Sequence, residues 1–155
     1  MITVRPAAPD EDGILANHYL ALWQSYGTPA DDLEPNARER TLAFLREGRA
    51  RQDLEAFLAG RDNRIVGSVC CEERRSPYPL VLRRSASRVG YVGSMFVEET
   101  ARGQGIGRML LERAVQHLRE IGCTRVLLHS SIAGRPLYER YGFGPTGEMG
   151  LALGR

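Results

Sequence analysis

Three glycines at alternate positions, Gly103, Gly105 and Gly107, separate a run of strand character from a run with helical periodicity. Upstream, Val89 to Val97 reads as the longest strand of the chain, with Gly90 and Gly93 inside it. A glycine within a strand often marks a bulge or the close approach of another backbone. Downstream, Ile106, Leu110, Leu111, Ala114, Val115, Leu118 and Ile121 repeat every 3.6 residues, and Gly122 ends that helix. A strand that enters a glycine loop which opens a helix is a cradle for an anion. The first helical turn carries N–H groups without partners and partial positive charge, and glycine lets a ligand reach them. Two common cradles are excluded. A P-loop needs Gly-Lys followed by Ser or Thr, and the chain has no lysine; a dinucleotide fingerprint needs a glycine where Arg108 stands.

The other elements follow from pattern and punctuation. Ile2 to Arg5 reads as an edge strand ended by Pro6, and Asp10 as the cap of a helix carrying Ile14, Leu15, His18, Tyr19, Leu22 and Trp23. Gly27-Thr28-Pro29 breaks that helix; Asn36 opens a second one, stopped at Gly48. Leu54 to Ala59 and Ile65 to Cys71 form a hairpin about the turn at 60–63. Arg125 to His129 reads as a strand, Ala133 to Tyr141 as a short helix, and Phe143 onward as a last strand. The predicted order is βααβββαβαβ. It is a mixed α+β fold whose βαβ unit requires one parallel pair.

Composition narrows the class. With 155 residues, 43% apolar and 26% charged, the chain fits a single globular domain over residues 1–155. No 18-residue apolar run and no secretory leader are visible, so a cytoplasmic protein without membrane partners is expected. All 21 basic residues are arginine and 19 acids offset them, so composition gives no ground for a nucleic-acid partner. The one local excess is Arg74, Arg75, Arg83, Arg84 and Arg88. Three cysteines without a Cys-x-x-Cys pair and three scattered histidines predict neither a disulfide framework nor a metal site.

Arg102-Gly103-Gln104-Gly105-Ile106-Gly107 resembles the Arg/Gln-x-x-Gly-x-Gly/Ala motif of the GNAT superfamily of acetyl-CoA-dependent N-acyltransferases. Leu137-Tyr138-Glu139-Arg140-Tyr141-Gly142-Phe143 resembles that family's Leu-Tyr-x-x-x-Gly-Phe signature, and the strand before the loop also fits. The resemblance implies a mixed, mostly antiparallel sheet flanked by helices, with a splayed parallel pair that holds the cofactor. It places the pyrophosphate of acetyl-CoA on backbone N–H groups of Arg102, Gly103, Gln104, Gly105, Ile106, Gly107 and Arg108, and pantetheine along Met95, Phe96 and Val97. Ser131 stands where the family often has asparagine.

The implied reaction is direct attack of a primary amine on the thioester, without metal. A backbone N–H near Val97 would hold the oxyanion, and Tyr138 matches the general acid that protonates the leaving thiolate. Some members carry a glutamate base where this chain has Tyr91; Glu72 and His129 are the candidate residues, and a water chain to bulk solvent is compatible with the sequence as well. The first two helices, their connection and the Arg74–Arg88 loop would build the acceptor site, with Trp23, Tyr26, Glu34 and Tyr78 as lining residues; packing in the core is the competing role for Trp23. The acceptor is a small molecule or a protein amine, with the amino group of a charged tRNA as an alternative. A CoA-binding sensor without turnover is the reading from another class. A second copy of the chain is among the expected partners.

Overall fold

The computed structural model describes residues 1–154. Five strands form one sheet in chain order: β1 (Ile2–Pro6), β2 (Leu54–Arg61), β3 (Arg64–Glu73), β4 (Val89–Val97) and β5 (Arg125–Leu127). The first three pairings are antiparallel, and β4 with β5 is parallel. The β2–β3 turn is tighter than the pattern suggested. Asp62 and Asn63 both take positive φ, which a two-residue primed turn demands, and the strands run on to meet it.

Helices cover both faces. Helix α3 (Ile106–Glu120) lays Ile106, Leu110, Leu111, Ala114 and Leu118 on Phe57, Val66, Val69 and Val92. Each of these Leu, Ile, Val and Phe side chains, fully removed from water, contributes about 1.5–3 kcal/mol. Approach on this face is close: a Cβ on Gly90 would lie 2.8 Å from both methyls of Leu118. On the other face α1 (Asp12–Ser25) and α2 (Ala37–Ala50) bring Leu15 and Leu45 onto Leu54, Ala56 and Leu58. Cys70 and Cys71 alternate across β3, Cys71 toward α3 and Cys70 toward the opposite cluster. Burial pushes the Cys70 thiol up to about 12, which leaves it unreactive.

Strand β4 is irregular at its centre. Gly93 opposes Cys70 and Phe96 opposes Ser68, so Ser94 and Met95 together face the single residue Val69. Ser94 has a φ of 54°. This bulge resets the pleat. Val92 and Met95 both pack toward α3, while Phe96 turns to the opposite face against His18. On the other side of β4, pairing with β5 stops at Tyr91–Leu127. Beyond that point the parallel pair splays.

Several boundaries differ from expectation. A 3-10 turn over Pro9–Glu11 precedes α1, and Asp10 does not cap it. Glu11 does the local capping, its carboxylate accepting from the Ala8 N–H at 2.9 Å while paired with Arg5. Asn36 is the first residue before α2, but its backbone carbonyl rather than its side chain takes the Arg40 N–H. Gly48 does not stop α2, which runs on to Ala50; a Cβ there would sit 2.7 Å from Leu54 Cβ, so this glycine serves packing. β5 ends at Leu127, and α4 (Arg135–Tyr141) begins at Arg135. No strand follows α4 among the described residues. Pro145 and glycines at 144, 147, 150 and 154 lower strand propensity there, and Met149, Leu151 and Leu153 lie exposed.

Candidate active site

The glycine loop takes the form its residues dictate. Gly103 and Gly105 have φ of 76° and 80°, and nothing lies within 4 Å of a Cβ built on either. Gly105 is the N-cap of α3, so no side chain closes the helix start, and the first turn holds no acid. Uncapped amides beside open backbone suit a diphosphate. Arg102 donates from Nε to the carbonyl of Val97 at 3.0 Å, fixing the loop to the end of β4. Gly107 has a different role: its Cβ would come within 3.2 Å of Leu137, so it lets α4 dock on α3.

A groove of about 850 Å³ runs from this loop along the splayed half of β4 to α4. Met95, Phe96, Val97, Arg102, Gly103, Gly105, Ile106, Gly107 and Arg108 all line it. Gln104 is the exception within the loop. Its Oε1 accepts from Arg61 at 2.8 Å, and the side chain leaves the groove wall. Ser131 lines the groove, but its hydroxyl already accepts the Gly134 N–H at 3.0 Å ahead of α4. The groove residues therefore fit a long ligand with an anionic end.

A second cleft, of about 960 Å³, opens on the α1–α2 face of the sheet. α1, the connection through 27–34, and α2 wall it, while Cys70, Glu72, Tyr91 and Gly93 form its floor. Trp23 lines this cleft with 40% of its surface exposed, so it belongs to the cleft wall and not to the core. Tyr26 and Glu34 line it too. Tyr78 does not: it is 70% exposed on the 76–88 loop, which contributes nothing to the cleft. Sequence reasoning missed Phe44 and the wall role of Tyr19. The signal for Tyr19 was present, since positions 19, 23 and 26 share one face of a helix.

Groove and cleft share a wall made of Tyr26, Gly93 and Ser94. The bulge is therefore the point where two ligands would meet. Tyr138 lines the groove, packs edge-on against Phe143 and lies near enough to Tyr26 and Tyr91 for their charges to couple. Burial first, then those two phenols, raises its pKa above the usual tyrosine value, so the hydroxyl stays protonated. Glu72 stands directly opposite Tyr91 in the β3–β4 register. Burial, and then Asp53, lifts its carboxyl above the ordinary range. His129 lies past the end of β5, and its Nδ1 hydrogen-bonds the Tyr91 hydroxyl; its Nε2 is 3.7 Å from Glu148. Arg74 stacks over the Tyr91 ring at 5.6 Å.

The arginine cluster is largely neutralised. Arg84 and Arg88 reach Glu73 at 2.9 and 2.8 Å, Arg75 reaches Asp53 at 3.8 Å, and Arg74 reaches Glu148 at 3.4 Å. No group of three metal-binding side chains occurs among the described residues, and no helix there is long and apolar enough to cross a membrane.

The acetyltransferase (GNAT) family matches residues 17–143, and the chain belongs to that family. It is 32% identical to the serotonin N-acetyltransferase of Mesocricetus auratus over 117 residues, 75% of this chain and 51% of that one. It is 35% identical to the glucosamine 6-phosphate N-acetyltransferase of Trypanosoma brucei brucei over 104 residues, 66% of this chain and 67% of that one. The chain spans about half the length or less of the first curated relatives it matches. Among solved structures, a predicted acetyltransferase of Clostridium acetobutylicum, crystallised with acetyl-CoA, superposes with a TM-score of 0.83 at 26% identity, over 99% of this chain and 96% of that one. A GCN5-related N-acetyltransferase of Ralstonia eutropha gives 0.85 at 24% identity over 99% of each chain.

Proposed function

We propose that the chain transfers an acetyl group from acetyl-CoA to a primary amine by direct attack. The observation that carries this reading is the shared wall at Tyr26, Gly93 and Ser94, where the groove and the cleft meet. Residues 102–108 hold the pyrophosphate on backbone amides, and the splayed end of β4 takes the pantetheine as an added strand. Bound there, acetyl-CoA supplies an acetyl group activated as a thioester.

The amine enters from the cleft. Glu72, the acid on its floor, takes a proton from the ammonium; a carboxyl that burial holds above the ordinary carboxylate range suits this task. The nitrogen lone pair then forms the C–N bond at the carbonyl carbon. The bulge at Ser94–Met95, rather than Val97, stands at the junction, so we assign the oxyanion donor to a backbone amide there. The C–S bond breaks, Tyr138 gives its proton to the departing thiolate, and the second proton that nitrogen loses as the amide forms restores the phenol. His129 lines the groove and not the cleft, and its Nδ1 is engaged by the Tyr91 hydroxyl, so we give it the positioning of that phenol and assign the base role to Glu72 on the cleft floor.

The pairing of four arginines with acids removes the main support for a charged-tRNA acceptor. The deciding experiment follows thiol release from acetyl-CoA with a panel of amines and identifies products by mass spectrometry. Acetyl-CoA binding with no thiol release on any amine would leave only a sensor without turnover.

A further inference from the structure

We infer that the second cleft takes a small primary amine borne on a flat, apolar and otherwise uncharged body. This rests on the acceptor role given to the cleft above. The first support is its rings. Tyr19 and Trp23 meet edge-to-face with centroids 6.3 Å apart, and Trp23 and Tyr26 do so at 5.9 Å. Phe44 faces them from α2 and is 52% exposed. A soluble chain rarely leaves large rings open side by side unless something covers them. A flat apolar ligand gains area there and an edge-to-face partner besides.

The second support is charge. Among the described residues lining the cleft, Arg40 is the one cationic side chain, and Glu34 already holds it at 3.4 Å. A phosphate or carboxylate on the acceptor would find no unengaged cation, and recognition of such groups depends on arginine or lysine donors. A cation is received differently. Glu72 lies on the floor among aromatic walls, next to Tyr91 across the strand, and ring faces attract an ammonium as well. The third support is size. About 960 Å³ suits a small molecule, and a sugar ring would leave its hydroxyls against Leu33, Phe44 and Leu45.

The chain supplies its own probe, because Trp23 is the only tryptophan. Titration of 2-phenylethylamine without acetyl-CoA should change Trp23 emission saturably. 2-Phenylethanol, which lacks the charge, should bind at least tenfold more weakly, and glucosamine 6-phosphate should leave the emission unchanged at the same concentrations. Glu72→Gln should weaken the amine at least tenfold. Phe44→Ala, at a position 52% exposed, should weaken amine and alcohol alike. Tighter binding of glucosamine 6-phosphate, a response only to a peptide N-terminus, or no amine-dependent change would overturn the inference. Binding of the amine without acetyl transfer would sink the enzymatic reading and leave the cleft assignment standing. Transfer to glucosamine 6-phosphate but not to phenylethylamine would do the reverse.

Discussion

Glu72 on β3 and Tyr91 on β4 stand directly opposite each other, on the floor of the cleft that meets the loop-side groove. Tyr91 is hydrogen-bonded to His129, and Glu72 is the acid on the cleft floor to which the base role is assigned. Glu72→Gln should lower kcat by roughly 10²–10³-fold, within the range for loss of a general base. Stability should move the other way. Burial raises the folded-state pKa of Glu72, so its ionised form costs stability once pH exceeds that value, and the cost vanishes below the unfolded pKa. The variant should therefore melt higher than the parent at pH 8 and equally at pH 4. A kcat that holds at pH 8 would transfer the base role elsewhere.

Tyr138→Phe removes the hydroxyl assigned as proton donor and keeps the ring against Phe143. We expect kcat to fall about 10²-fold while the KM for acetyl-CoA changes less than threefold. With chemistry rate-limiting, an unaltered kcat would end the acid assignment.

Gly105 and Gly107 should fail in different ways. Gly105→Val puts a β-branched residue at φ 80°, a strain of about 1–3 kcal/mol, and places methyls where the pyrophosphate would lie. Acetyl-CoA affinity should drop below detection by calorimetry, and Gly105→Ala should show a smaller loss. Gly107→Val instead meets Leu137 and should lower the melting temperature through the α3–α4 contact.

Arg49 ties three elements together. It donates to Asp12 at 2.8 Å and to the carbonyl of Ala7 at 3.2 Å, with Glu55 at 3.8 Å, and is largely withdrawn from solvent. Arg49→Met should cost about 1.5–3 kcal/mol by urea unfolding. A cost under 0.5 kcal/mol would show that water replaces the network.

His18 is buried against Phe96 with Nδ1 2.8 Å from the Ser68 hydroxyl. Burial holds its pKa below the usual histidine value, so its neutral form contributes stability that is lost as pH falls through the folded pKa. His18→Asn should flatten the melting temperature between pH 5 and 7 relative to the parent.

The loop, β4 and α3 were legible because glycine placement and a 3.6-residue period are local signals. So was the face that α3 buries. Tyr138 and the loop residues came from a motif, and all of them but Gln104 line one groove. The two terminal regions were less legible. Glu11 rather than Asp10 caps the start of α1 because Arg5 and the Ala8 amide hold its carboxylate, contacts that no spacing reveals. Apolar residues after Phe143 looked strand-like, although glycine and proline outweigh them. Tyr78 looked like a wall residue only because its loop was assumed to fold over the cleft.

The extra residue at Ser94 changes the odd–even parity of β4 halfway along its length. Tyr91 and Gly93 obey one count and Met95 and Val97 the other, so one strand gives the cleft its floor from its first half and the groove its α3-facing wall from its second. Deleting that residue would restore a single count and swap the destinations of every side chain beyond it. How the two chambers adjoin is thus an arithmetic property of the chain, more fragile to a one-codon loss than to most replacements along it.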